Sequence, residues 1–322
     1  MPELPEVETV RRGLAELLPG RKIVATRQIE SPKSFPNSDA DVQEFMIGAK
    51  AIDVRRRAKV LLIDLSSNYT LVIHLKMTGQ LVFVGKTAGP AVTSAPTSRS
   101  QARLEVGAAP RDVTLGSRND ERFGAGHPND SLVGELPDRS TRVVIDFEDG
   151  SHLYFNDQRK FGWVKLMPSL EVPNIDFMKK VGPEPLEANF TAEAFAERFR
   201  RRANTNIKAA LLDQTVVAGV GNIYADESLW GAKIDPRRLV KTISDAEFTL
   251  LYNELREVMN LAIEKGGSTD KNYVNAEGKR GSYMDFARVF RREGQKCPRC
   301  GNEIIKIKHA GRGTHICEFC QK

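Results

Sequence analysis

The chain has 322 residues, enough for about two domains that each bury a core. Lys and Arg together number 48 against 42 for Asp and Glu, a net charge of +6 that admits a polyanionic partner without requiring one. No apolar run approaches the roughly 20 residues of a membrane span, and the acidic start lacks the basic and apolar regions of a signal peptide, so no membrane association is expected.

The chain opens Met1-Pro2-Glu3-Leu4-Pro5-Glu6. Removal of an initiator methionine ahead of proline leaves the Pro2 ring nitrogen as a free secondary amine. Its reference pKa of roughly 8, against about 10.4 for lysine, favours a nucleophile at neutral pH, and attack on a sugar carbon would give a cationic iminium. Glu3 beside it and Glu6 one helical turn further on could then shuttle protons. Taken alone, these residues fit the plainer reading better: prolines start helices, and acids there match the helix dipole.

Residues 6–18 read as an amphipathic helix with Val7, Val10, Leu14 and Leu17 or Leu18 on one face, closed by Pro19-Gly20. Strand patterns follow at 22–27, 51–54, 60–65, 70–75 and 81–84, and again at 142–147, 152–156 and 162–166, which predicts a β-sandwich or barrel. Between them, 86–140 turns to Gly, Pro, Ser, Thr and Ala without hydrophobic periodicity and reads as a mostly disordered insertion. The proline-rich stretch 168–185 suits an interdomain hinge. Helices are predicted at 192–202, 207–212, 222–232 and 245–265. The domains expected are therefore 1–167, a helical unit at 186–286 and a small piece at 287–322.

All four cysteines fall in that last piece. Cys297-x-x-Cys300 and Cys317-x-x-Cys320 have the spacing of a four-thiolate zinc site, and clustering in a reducing compartment favours one structural zinc ion over disulfides. The residues between them read as a hairpin with Ala310-Gly311-Arg312-Gly313 as its turn and Arg312 at the tip; His309 and His315 are expected at the surface. From residue 287 onward, nine basic residues face three acidic ones, an excess equal to the net charge of the whole chain, so this tail is the expected footprint on a polyanion.

Three further motifs each have a plain structural reading. Gly219-Val220-Gly221-Asn222 precedes a helix, so its bare amides could meet a phosphate together with Asn222 and Lys208, or the glycines could simply cap. Arg55-Arg56-Arg57-Ala58-Lys59 reads as a charge run on a solvated face. Met77, at a strand end, and Phe161, in the turn Asp157-Gln158-Arg159-Lys160-Phe161-Gly162, are core residues or wedges for a base stack.

Together, the block from Met1 to Leu14, Arg57-Ala58-Lys59, His74-Leu75-Lys76-Met77-Thr78-Gly79, Arg159-Lys160-Phe161-Gly162, Gly219-Val220-Gly221-Asn222-Ile223-Tyr224 and the cysteine hairpin closely resemble bacterial formamidopyrimidine-DNA glycosylases, over nearly the whole chain except 86–140. The resemblance implies an α+β fold: an N-terminal β-sandwich with flanking helices, then a helix-two-turns-helix domain and a zinc-bound β-hairpin. It implies a bifunctional enzyme of base excision repair that excises 8-oxoguanine and formamidopyrimidines and nicks the abasic strand by β,δ-elimination. By the same resemblance Pro2 is the nucleophile, Glu3 the acid and base, Glu6 a secondary proton-transfer group and Lys59 the catalytic-site lysine. Met77, Arg159 and Phe161 would fill the gap left by the flipped base, and Asn222, Lys208 and Arg312 would hold phosphates. Residues 268–283 match the position of a mobile loop over the lesion. The partner implied is damaged double-stranded DNA, met by a monomer in a bacterial cytoplasm or on its nucleoid, with no nucleotide cofactor. Sister enzymes of the endonuclease VIII type tend to have glycine where this chain has Leu4. A non-catalytic zinc-hairpin DNA-binding protein would have no use for Pro2, Glu3 and Lys59 together.

Overall fold

The computed structural model describes residues 2–86, 122–127, 130–132, 134–268 and 283–322. Helix α1 (Leu4–Leu17) starts two residues before the expected point, with Pro5 in its first turn and Val7, Val10 and Leu14 fully buried along one face. It lies against a β-sandwich. Strands β1 (Ile23–Gln28), β2 (Ala51–Arg57), β3 (Val60–Leu65), β4 (Tyr69–His74) and β5 (Gly79–Val84) are joined by β6 (Arg122–Gly126), β7 (Thr141–Phe147), β8 (His152–Asp157) and β9 (Trp163–Pro168). A short helix, α2 (Asp39–Phe45), links β1 to β2.

Two antiparallel sheets result, in the orders β1-β7-β8-β5-β6 and β2-β3-β4-β9. Alternation explains why β3 is apolar throughout: Leu61 and Ile63 face the core between the sheets, whereas Val60 and Leu62 face outward and are covered in turn. That cover comes from the supposed hinge. Residues 168–185 hold a 3-10 turn (Ser169–Asn174) and helix α3 (Asp176–Lys180); Val172, Ile175 and, within α3, Phe177 and Met178 pack on the outer sheet face, which leaves 181–185 as the link.

The reading of 86–140 as one disordered insertion fails for its described part. Strand β6 pairs with β5, and Phe123 is buried against α1, where a β-carbon on Gly13 would stand only 2.2 Å from its ring. Residues 87–121 lie outside the described residues.

Helices α4 (Ala192–Arg200), α5 (Ile207–Leu212), α6 (Asn222–Gly231) and α7 (Asp245–Glu264) bury a second core. Leu4 belongs to that core and not to the sandwich, so the first residues of the chain cross to the helical unit. The hairpin of β10 (Ile305–His309) and β11 (Arg312–Ile316) turns through Ala310 and Gly311, both with positive φ, the backbone of a tight two-residue turn. Arg312 is therefore the first residue of β11, paired with His309, and not the tip itself. The cysteine end packs on Trp230, at the end of α6, with the Arg299 guanidinium 3.8 Å from the indole. Among the described residues, no helix is long and apolar enough to cross a membrane.

Candidate active site

A cavity of about 540 Å3 opens where the sandwich, the helical unit and the hairpin meet. Glu3, Lys59, Gly221 and Asn222 line one side, Met77 and His74 another, and Arg291 and Arg312 a third.

The N-terminal segment is fixed from both ends. Leu4 N donates to Gly219 O at 3.0 Å, and Glu3 N donates to Glu6 Oε2 at 2.7 Å. The other Glu6 oxygen accepts the Tyr224 hydroxyl at 2.5 Å and Ser268 N at 2.8 Å, so three donors hold this carboxylate. Glu3 Oε1 accepts Ile223 N at 3.0 Å, which means that the group capping the start of α6 is this chain's own carboxyl. Only a glycine permits that approach, since a β-carbon on Gly221 would sit 2.3 Å from Glu3 Cδ.

Glu3 Oε2 is buried without a partner. Burial pushes the Glu3 carboxyl up to about 7, opposed by the charge of Lys59. Lys59 is buried too and donates from Nζ to Val220 O at 2.9 Å; burial lowers its pKa, with Glu3 and Glu6 opposing. An acid that still holds its proton near neutrality thus faces a lysine that releases one more readily than usual. Pro2, also buried, directly precedes Glu3.

The turn that delivers Lys59 is held from the interdomain link. Glu184, buried, accepts Ala58 N at 2.6 Å, Arg57 at 3.0 Å and Arg56 at 2.7 Å, and Arg56 also reaches Glu8 at 3.1 Å. Arg56 and Arg57 are therefore parts of an interdomain ion cluster; only Arg55, paired with Asp64, matches the expected solvated face. Glu184 was not singled out in the sequence because its partners lie more than 120 residues away.

Phe161 is 55% exposed with the Arg159 guanidinium 5.0 Å from its ring centre, so the core reading fails for it. Met77 is half-buried at the cavity edge. Buried Asp157 joins the two loops that carry these residues: it accepts the Thr78 hydroxyl, Gly162 N at 2.6 Å and Arg159 N at 3.2 Å. His74 beside them is neutral, its pKa brought down to about 3 by burial and by Lys76 and Lys59.

Lys208 departs from expectation. It has no exposed side-chain surface; Nζ lies 2.6 Å from Asp226 Oδ1 and donates to Thr314 Oγ1 at 2.7 Å. These contacts anchor the hairpin beside Arg312. Asn222 also ties the hairpin, through Gly313 O at 3.0 Å, and in addition lines the cavity. His315 is buried, contrary to its expected surface position, with Nδ1 3.2 Å from Asp226 and Nε2 3.2 Å from Glu293. His309 is half-buried.

The sulfurs of Cys297, Cys300, Cys317 and Cys320 all lie within 4.8 Å of one another. A tetrahedral zinc with Zn–S of about 2.3 Å needs sulfurs about 3.8 Å apart, so the set fits a closed structural site.

A sandwich and a helical unit that close over a buried acid and lysine, with cations along the walls, define an enzyme whose cleft is built for a polyanion. Family models agree: the formamidopyrimidine-DNA glycosylase N-terminal domain matches residues 1–164, its H2TH domain matches 181–273, and the zinc finger found in FPG and IleRS matches 294–322. The chain is 37% identical to a formamidopyrimidine-DNA glycosylase of Pelotomaculum thermopropionicum, covering 100% of this chain and 99% of that relative. It is 38% identical to one of Herpetosiphon aurantiacus, with both chains fully covered. Among solved structures, a Lactococcus lactis Fpg variant bound to Fapy-dG-containing DNA matches with a TM-score of 0.77 and 32% identity, both chains fully covered. The Lactococcus lactis Fpg bound to abasic-site DNA matches at 0.76 and 32%, covering 99% of each chain. The chain belongs to the formamidopyrimidine-DNA glycosylase family.

Proposed function

We propose that this protein is a bifunctional DNA glycosylase that flips oxidised purines out of double-stranded DNA, excises them and cuts the strand by β,δ-elimination. The observation that carries the reading is the buried Glu3 carboxyl, one oxygen unpartnered, next to Pro2 and opposite Lys59 at the wall of a cationic cleft. A base inside a duplex is unreachable, so it is extruded, at roughly a few kcal/mol of lost stacking. Met77, Phe161 and Arg159, locked together through Asp157, fill the gap. Once Met1 is removed, the Pro2 nitrogen attacks the anomeric carbon as the damaged base leaves. Glu3, protonated near neutral pH, gives its proton to the sugar ring oxygen, which opens the ring to an iminium. Lys59 stands within the same cavity to hold a phosphate or move a proton.

Arg312 and Asn222 hold backbone phosphates, which positions the enzyme without reading sequence. Lys208 acts through Thr314 and Gly313. Glu6 clamps the N-terminal segment, and its proton-transfer role is secondary to that. The protein works as a monomer in the cytoplasm and on the nucleoid, with zinc its one resident group and no nucleotide cofactor.

The test is reductive trapping. With borohydride and a duplex carrying 8-oxoguanine, the intact mass should rise by one DNA fragment, and peptide mapping should place the adduct on Pro2. Tight binding without any trapped species would favour the non-catalytic DNA-binding protein.

A further inference from the structure

Arg291 has no role in the mechanism above, yet it lines the same cavity as Glu3, Lys59 and Arg312. Its backbone is unusual. It sits at φ 57, the left-handed region that a residue with a β-carbon occupies only under strain and that glycine occupies freely. Strain of this kind persists when the surroundings over-determine it, and here they do. The buried Glu227 carboxylate, on the same helix as Asn222, accepts Arg288 N at 2.8 Å, Val289 N at 2.9 Å and Phe290 N at 2.7 Å, with the Tyr283 hydroxyl at 3.0 Å. The Phe290 ring packs edge-on against buried His315, 4.8 Å between centres. The chain is thus nailed down through Phe290, and the next residue turns left-handed at an exposed position on the cavity wall.

A second cation repeats the device from the opposite side. Lys76, at φ 52, lines the cavity from the sandwich, beside the Met77 wedge. Four cations, Lys59, Lys76, Arg291 and Arg312, therefore share one cavity, a gathering of like charge that favours an anion among them. Arg291 sets a planar, bidentate donor there.

We propose that Arg291 is a further binding residue, gripping a backbone phosphate of the DNA strand that enters the cleft, in addition to the contacts made by Asn222 and Arg312. The proposal rests on the DNA-repair reading above. Binding to a duplex with a stable abasic-site analogue is measured between 50 and 200 mM salt for the parent, R291G and R291Q. The glycine variant relieves the backbone strain, so its thermal midpoint should match or exceed the parent's. The glutamine variant keeps the strained backbone and removes only charge. Both should bind more weakly, and each log–log salt slope should flatten by about 0.9, so that the parent's advantage shrinks about three-fold across this range. Unchanged slopes in both variants overturn the proposal, as does an effect seen in R291G alone, which would assign the loss to the backbone. A parent protein that fails to bind the duplex at all would instead overturn the DNA-repair reading on which the proposal stands.

Discussion

At the scale of single residues, Glu3 shows how burial becomes chemistry. Its carboxyl is held to about 7 in the folded protein against 4.5 in a free chain, mainly through loss of hydration. The native state therefore binds more protons than the unfolded one between these values, and its stability falls as pH rises through that window. The ionised carboxylate costs the fold up to roughly 3 kcal/mol above pH 7, which corresponds to the size of the shift. E3Q removes the titration. Its melting temperature should exceed the parent's at pH 8, the gap closing toward pH 5, while excision of 8-oxoguanine drops at least about 100-fold. Melting curves for the two proteins at pH 5, 6, 7 and 8 check this; a gap that does not change with pH would mean that Glu3 is not a buried acid.

At the scale of elements, the cleft is set by side chains that tie segments far apart in sequence. Glu184 joins the interdomain link to the β2–β3 turn, and its loss would leave Arg56 to Glu8 and the Ala58 carbonyl, and Arg57 to the backbone carbonyls of Val181 and Gly182. E184A should cost about 3 kcal/mol of stability, as expected when one partner of a buried ion cluster is removed. Lys59 would then lose its fixed position, and strand cutting should fall by up to about 100-fold in kcat with a smaller change in DNA affinity. Urea titration and single-turnover cutting measure the two effects, and a variant of parental stability would show that the cluster does not hold the turn.

These ties also explain what could be read from the chain beforehand. Helix α1, strand β3, helix α5 and the cysteine hairpin carry their information locally, in periodicity, caps and spacing, and were legible. Strand β6 was not, because Arg122-Phe123-Gly124-Ala125-Gly126 has no β-branched residue and becomes a strand only by pairing with β5 and covering α1. Among the site residues, the cysteines stood out by their spacing and Glu3 by its place beside Pro2, whereas Lys59, inside a charge run that reads as solvated, stood out only through the family resemblance. Glu184, Asp157 and Glu227 did not, since a lone acid gains meaning only from donors brought to it by folding. Lys208 misled for the same reason: a lysine before a glycine turn resembles a phosphate ligand until Asp226 and Thr314 are seen to enclose it.

At the scale of the whole molecule, net charge and metal are concentrated in one appendage. The tail from residue 287 carries a basic excess equal to that of the entire chain, and Arg312 reaches the cleft only because the hairpin holds it there. The hairpin is too small to bury a core of its own, so zinc supplies its folding energy. It is then docked by Trp230 and by the Lys208–Asp226 pair, whose charges stay out of water only while Thr314 and His315 cover them. Removing the metal should therefore release the hairpin, expose this pair and erase most of the phosphate grip, while the two larger cores persist. Chelation should liberate one zinc per chain and weaken binding to an abasic-site duplex at least about 100-fold, with a flatter salt dependence. The far-ultraviolet spectrum and the main melting transition should change little, because the strands of the sandwich and helices α4 to α7 bury their apolar faces without the hairpin. Full affinity after complete zinc removal would show that the sandwich and the helices alone hold the DNA, and that the charge of the tail serves something other than this cleft.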